Sequence, residues 1–121
     1  MISQPCCGLV ERVEAGDLDG PETMALLRRY IAPLLEAGAD TLVLGCTHYP
    51  FLVDAIRSIV GAGVRIVDPS EAVARRLADV LGEPATGPGG LRCFSTGDPA
   101  LQAALMIRLL GETVEVEPLP V

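Results

Sequence analysis

Between Glu22 and Glu36 the apolar side chains fall at Met24, Leu27, Ile31, Leu34 and Leu35, close to the i, i+3, i+4 spacing that puts one stripe on a helix. Pro21 suits the first turn of that helix and Gly38 its end, while Pro33 inside the pattern is predicted to kink or split it, because proline removes an interior hydrogen bond. Thr41 to Gly45 then reads as a short buried strand. Pro50 opens a second helix through Val60, with Leu52, Ala55, Ile56 and Ile59 along one face and Gly61 and Gly63 at its end.

The same unit recurs downstream. A strand over Val64 to Val67 leads through Asp68-Pro69-Ser70-Glu71, an N-cap followed by proline, into a helix to about Leu81, with Ala72, Val73, Leu77 and Val80 or Leu81 expected inward. After a Gly- and Pro-rich loop from Gly82 to Gly90, a strand over Leu91 to Ser95 passes through Gly97-Asp98-Pro99 into a helix to Leu110, and Thr113 to Val116 makes a last strand. Strands alternating with helices predict an α/β fold, a parallel sheet flanked by helices and connected in the right-handed sense.

Composition narrows the function classes. A chain of 121 residues suffices for one domain with a core, and one compact unit is the default expectation. Half of the residues are apolar, yet only two Tyr and two Phe are aromatic, so the core is expected to be Leu, Val, Ile and Ala. The net charge of −7 argues against nucleic acid or an anionic membrane as partner, since both call for a basic patch, and favours a small-molecule ligand. No apolar run approaches the roughly 20 residues that span a bilayer, and Met1-Ile2-Ser3-Gln4 lacks the basic flank and apolar core of a secretion signal. Cys6, Cys7, Cys46 and Cys93 do not make a spaced disulfide framework, and reduced thiols in a cytosol are the simpler reading.

Candidate chemistry sits at two strand ends. Gly45-Cys46-Thr47-His48 offers a thiol, a hydroxyl and the only imidazole of the chain within one turn. Ligands collect beyond the carboxyl ends of parallel strands, and a helix start there would favour a thiolate. The bland alternatives are a cysteine packed beneath a turn and a histidine bonded to backbone. Ser95-Thr96-Gly97-Asp98 is fully explained as turn residues and an N-cap, and Asp68 with Ser70 likewise. A metal site from Cys6, Cys7, Cys46 and His48 does not match zinc spacings, so no metal is expected, and a serine-type triad is disfavoured by the lack of a second histidine.

Leu42-Val43-Leu44-Gly45-Cys46-Thr47-His48-Tyr49-Pro50-Phe51-Leu52 resembles, almost letter for letter, the second catalytic-cysteine motif of bacterial glutamate racemases. Asp40-Thr41, Ile66-Val67-Asp68-Pro69-Ser70-Glu71 and Phe94-Ser95-Thr96-Gly97-Asp98 resemble flanking segments of that family, and Cys6 to Gly16, ending in Val13-Glu14-Ala15-Gly16, resembles its Cys-Pro segment.

The resemblance implies a cofactor-independent racemase that interconverts L- and D-glutamate for peptidoglycan, by two cysteines working on opposite faces of Cα. It assigns Cys46 as one base, Thr47 and His48 to substrate, and His48 with Glu14 to the support of Cys46. Family members are about twice this length, and their first cysteine lies in an Asn-Thr-Ala segment that has no counterpart here. The chain therefore resembles a C-terminal portion. By that analogy residues 1–67 belong to the family's second domain and 68–121 complete its first, so that a single sheet is in doubt and the missing half, or self-association, is expected to complete the fold. A racemase of aspartate or another amino acid, and a binding or assembly module without catalysis, remain as alternatives.

Overall fold

The computed structural model describes residues 1–82 and 90–119, and they form two compact units, Met1–Gly82 and Glu83–Val121. Each unit has its own two-stranded parallel sheet. The expectation of an α/β fold with helix-flanked parallel strands holds. The default of one compact unit gives way to two, each with strands that pair only within their own unit among the described residues.

In the first unit, helix α1 covers Leu9–Glu14, α2 Pro21–Glu36, strand β1 Thr41–Val43, α3 Val53–Val60, β2 Arg65–Val67 and α4 Ser70–Leu81. Strand β1 pairs with β2 from Thr41 opposite Arg65 to Val43 opposite Val67, and Leu44 N–H donates to the Val67 carbonyl at 3.0 Å, carrying the ladder one residue past the strand. The core is Leu9 and Val13 of α1, Leu27 and Ile31 of α2, Leu42 and Leu44, Leu52, and Ala55 and Ile56 of α3. Apart from Leu9 and Val13 of α1, these are aliphatic positions that the helical and strand periods select. Fully burying each such leucine, isoleucine or valine side chain contributes about 1.5–3 kcal/mol.

Both α1 and α2 end in the same way. Gly16 takes φ 70° and Gly38 φ 80°, the left-handed conformation that a side chain resists. The N–H groups of Gly16 and Asp17 return to the carbonyls of Val13 and Arg12, and those of Gly38 and Ala39 to Leu35 and Leu34. This is the Schellman closure, which satisfies carbonyls that a helix end would leave bare.

Four expectations need correction. Pro33 does not split α2, which runs unbroken to Glu36. The proline lies in the last turn, where it removes a single hydrogen bond, and its own carbonyl still accepts from Ala37 N–H at 3.1 Å. The helix after Pro50 starts as a 3-10 turn over Tyr49–Leu52 and becomes α-helical only at Val53. Helix α4 forms where expected, with Asp68 Oδ1 accepting from Ser70 N–H at 2.8 Å, but it buries none of its residues. Val73, Leu77, Val80 and Leu81 are exposed, because no described element of its unit packs over that face.

The fourth correction falls in the second unit, which holds β3 at Cys93–Ser95, α5 at Pro99–Leu110 and β4 at Val116–Pro118. Strand β4 lies later than Thr113–Val116, because its register places Cys93 opposite Val116 and Phe94 opposite Glu117, with Arg92 bonded to the Glu117 carboxylate at 2.9 Å. Asp98 caps α5 as expected, accepting from Ala100 N–H at 2.8 Å and Leu101 N–H at 3.3 Å. The loop expected over Gly82 to Gly90 lies outside the described residues except at its two ends.

Candidate functional site

The site grows from the end of β1. Beyond Leu44 the chain leaves the sheet through Gly45 and turns at Cys46, Thr47 and His48, with Tyr49 N–H donating to the Cys46 carbonyl at 3.2 Å and Phe51 N–H to the His48 carbonyl at 3.3 Å. The turn is anchored from below by Leu52, which is fully buried, and α1 packs against it. Because Glu14 is the last residue of α1 and the Gly16 closure fixes that end, the carboxylate is delivered to the turn from a helix 34 residues away in sequence.

Four predicted residues meet here in a chain of contacts. His48 Nε2 lies 3.3 Å from Glu14 Oε1, and His48 Nδ1 lies 3.8 Å from Cys46 Sγ and 3.5 Å from Thr47 Oγ1. With Nε2–H donating to the carboxylate, Nδ1 presents a lone pair toward the thiol and the Thr47 hydroxyl. The imidazole can then take up the thiol proton while the carboxylate stabilises the imidazolium that results. The His48 side chain is 32% exposed and that of Glu14 58%, so water screens the pair and its first effect is to orient the ring. Thr47 is exposed beside them.

The helix start expected to support a thiolate is not at Cys46. The residues that follow it form a turn and a short 3-10 segment, and α3 begins only at Val53. The polar partner of Cys46 is the His48 ring instead.

A cavity of about 690 Å³ opens against this turn, with Cys6, Cys46 and Tyr49 among its lining residues and Leu9, Leu27 and Leu44 on its apolar wall. Neither Cys6 nor Tyr49 received a site role from the sequence. Burial pushes the Tyr49 phenol up to about 12, with the neighbouring Cys6 and Cys46 adding to the rise. Burial likewise raises the Cys6 thiol; a hydrogen bond with Tyr49 works against the rise, and Cys7 and Cys46 add to it. Cys6 Sγ donates to the Gln4 carbonyl at 3.3 Å. The signal that could have pointed to Tyr49 is its place three residues after Cys46, one 3-10 turn on.

The remaining candidates are structural. Ser95 Oγ accepts from Gly97 N–H at 3.1 Å and Asp98 caps α5. Ser70 holds the Asp68 carboxyl below the usual carboxylate range through hydrogen bonds, and that group serves the start of α4. Cys7 is exposed, Cys93 lies half-buried in β3, and all four cysteines are free. Among the described residues no cluster of three or more His, Cys, Asp or Glu side chains could hold a metal ion. No helix of the described residues is long and apolar enough to cross a membrane.

Residues 3–77 match the family described as Asp/Glu/hydantoin racemase. The chain is 52% identical over 115 residues to a glutamate racemase of Roseiflexus sp., covering 90% of this chain and 42% of that protein. Among solved structures, glutamate racemase isoform RacE1 of Bacillus anthracis superposes with a TM-score of 0.87 at 30% identity, over 98% of this chain and 46% of that one. The glutamate racemase of Thermus thermophilus, solved in complex with β-chloro-D-alanine, gives a TM-score of 0.77 at 37% identity, over 98% and 47% of the two chains. The chain thus spans less than half the length of the relatives it matches.

Proposed function

The chain belongs to the Asp/Glu/hydantoin racemase family, and on that premise we propose that it is the portion of a cofactor-independent glutamate racemase that carries one of two cysteine acid/base groups. The observation that carries this reading is the Glu14–His48–Cys46 chain of contacts at the end of β1. Inversion at Cα needs a base on one face and an acid on the other. Cys46 as thiolate takes the Cα proton from its face, and as thiol returns one. His48 holds or releases the proton that Cys46 exchanges, Glu14 orients His48, and Thr47 with His48 contacts the substrate. The opposite cysteine comes from the half that this chain does not match in its relatives, or the partner surface comes from self-association.

In the whole enzyme, residues 1–67 belong to the domain bearing Cys46 and 68–121 complete the other domain. The product D-glutamate serves peptidoglycan synthesis in the cytoplasm. The names of the relatives, the family match and the net charge of −7, which disfavours nucleic-acid and anionic-membrane partners, all support this reading.

The test is to assay the 121-residue chain alone, and then mixed with the separately produced N-terminal half of the Roseiflexus relative, for glutamate racemisation in deuterated water. The chain alone is expected to be inactive, and the mixture to racemise glutamate with deuterium entering at Cα. Cys46→Ser is expected to abolish this. Racemisation that survives Cys46→Ser would overturn the assignment of the base, and preference for aspartate would overturn the substrate.

A further inference from the structure

Cys46 and Cys6 lie on different irregular segments of the chain and line one cavity. Cys6 sits in the stretch before α1, Cys46 in the turn after β1, and neither residue is part of a helix or strand. Leu9 N–H donates to the Cys6 carbonyl at 3.4 Å and Tyr49 N–H to the Cys46 carbonyl at 3.2 Å, so each cysteine stands just ahead of a helical segment, and those segments, α1 and the 3-10 turn over Tyr49–Leu52, pack together. Cys7, by contrast, is exposed and does not line the cavity.

We propose that Cys6 and Cys46 form a reversible intramolecular disulfide on exposure to hydrogen peroxide or a comparable two-electron peroxide oxidant, with Cys46 attacking first and Cys6 resolving. In the first step the Cys46 thiolate, its proton taken up by the adjacent His48 Nδ1, attacks one peroxide oxygen. The O–O bond breaks, Cys46 becomes a sulfenic acid, and the leaving hydroxide is protonated to water. In the second step Cys6 sulfur attacks Cys46 sulfur, the S–O bond breaks, and the departing hydroxide takes the Cys6 proton. In balance, two thiols and one peroxide give one disulfide and two waters.

The division of roles follows from surroundings. Cys46 has an imidazole at 3.8 Å, whereas Cys6 donates its proton to the Gln4 carbonyl at 3.3 Å. Burial also raises the Cys6 thiol, so that it is protonated when Cys46 reacts. A disulfide demands Cα atoms within about 7 Å, and Cys6 lies in the irregular stretch before α1, outside any helix or strand. The inference stands on the placement of the thiols and is independent of the racemase reading.

The experiment treats the reduced 121-residue chain with stoichiometric hydrogen peroxide and maps its cysteines by mass spectrometry after non-reducing digestion. The expected result is an intact monomer lighter by two hydrogens, one peptide pair joining Cys6 to Cys46, and complete reversal by dithiothreitol. Cys6→Ser is expected to leave Cys46 as a sulfenic acid that dimedone traps, with circular dichroism confirming that the variant is folded. Cys7→Ser and Cys93→Ser are expected to form the same link as the parent chain. A Cys6–Cys7 bridge, an intermolecular bridge through Cys46, or direct passage of Cys46 to sulfinic acid in the parent chain would overturn the proposal.

Discussion

Leu52 anchors the turn that carries the site, and replacing it by alanine tests that dependence. It closes the 3-10 turn that follows Cys46 and His48, it is fully buried, and both α1 and α3 pack against that turn. Truncation removes three carbons of buried surface and extends the 690 Å³ cavity that Leu52 already lines, so the surroundings have little means to collapse into the gap. For a buried leucine the lost transfer energy and the residual cavity together cost about 3 kcal/mol, within a range of roughly 2–5.

That is a large share of the stability of a small unit. With a urea slope of about 1–3 kcal/mol per molar, the midpoint of the helical transition, followed by far-ultraviolet circular dichroism, is expected to fall by about 1–3 M. Val43→Ala, on a side chain 67% exposed, is the matched control and should change stability by no more than about 0.5 kcal/mol. The same loosening should free α1 from the turn and separate Glu14 from His48. If Leu52→Ala shifted the midpoint no more than Val43→Ala does, the claim that this residue anchors the site would be wrong.

Two further outcomes follow from particular groups. Asp98→Ala removes the acceptor for Ala100 N–H and Leu101 N–H at the start of α5 and should cost about 1 kcal/mol, seen as faster amide hydrogen exchange in the first turn of α5, whereas Asp98→Asn should lose much less. The Tyr49 phenol is raised to about 12 in the folded chain against about 10 when unfolded, so between those values the unfolded state sheds its proton first. Stability from Tyr49 is therefore fully present below pH 10 and is lost as pH rises through about 12. A Tyr49→Phe variant should lack that part of the alkaline decline in urea-unfolding experiments, and an identical decline in both proteins would refute it.

What could be read in the sequence follows the reach of each signal. Helices α2, α3, α4 and α5 lie within a few residues of their predicted spans, because each carries an apolar period long enough to read and a proline or aspartate at its start. The six-residue α1 was not predicted, since two apolar positions, Leu9 and Val13, make no period. Strand β4 moved because its place is set by pairing with β3, which no local pattern records, and Pro118 is tolerated because β4 pairs with β3 alone among the described residues. The apolar face of α4 was legible, but its exposure was not: periodicity states which side of a helix is apolar and says nothing of what covers it. At the site, Cys46, Thr47 and His48 share one turn and could be grouped from spacing alone. Glu14 comes from a distant helix, and only its resemblance to a family segment pointed to it.

The two chemistries proposed for Cys46 place different demands on the chain. In the proposed racemisation, Glu14, His48 and Cys46 would serve proton exchange at one face of Cα, all held by α1 and the turn after β1. The opposite face needs a second acid/base group with its own means of changing protonation. This chain has a single histidine, already committed to Cys46 and Glu14, and Cys6 directs its proton to a backbone carbonyl. In the racemisation proposed above, that group comes from outside these residues. The proposed oxidation needs no further protein group, only the peroxide, because the attacking and resolving thiols line one cavity within the first unit. A chain that forms the Cys6–Cys46 link yet racemises nothing until the half of its relatives that it does not match is supplied would display both properties at once, and reduction of that link should be a condition for activity in the reconstituted pair.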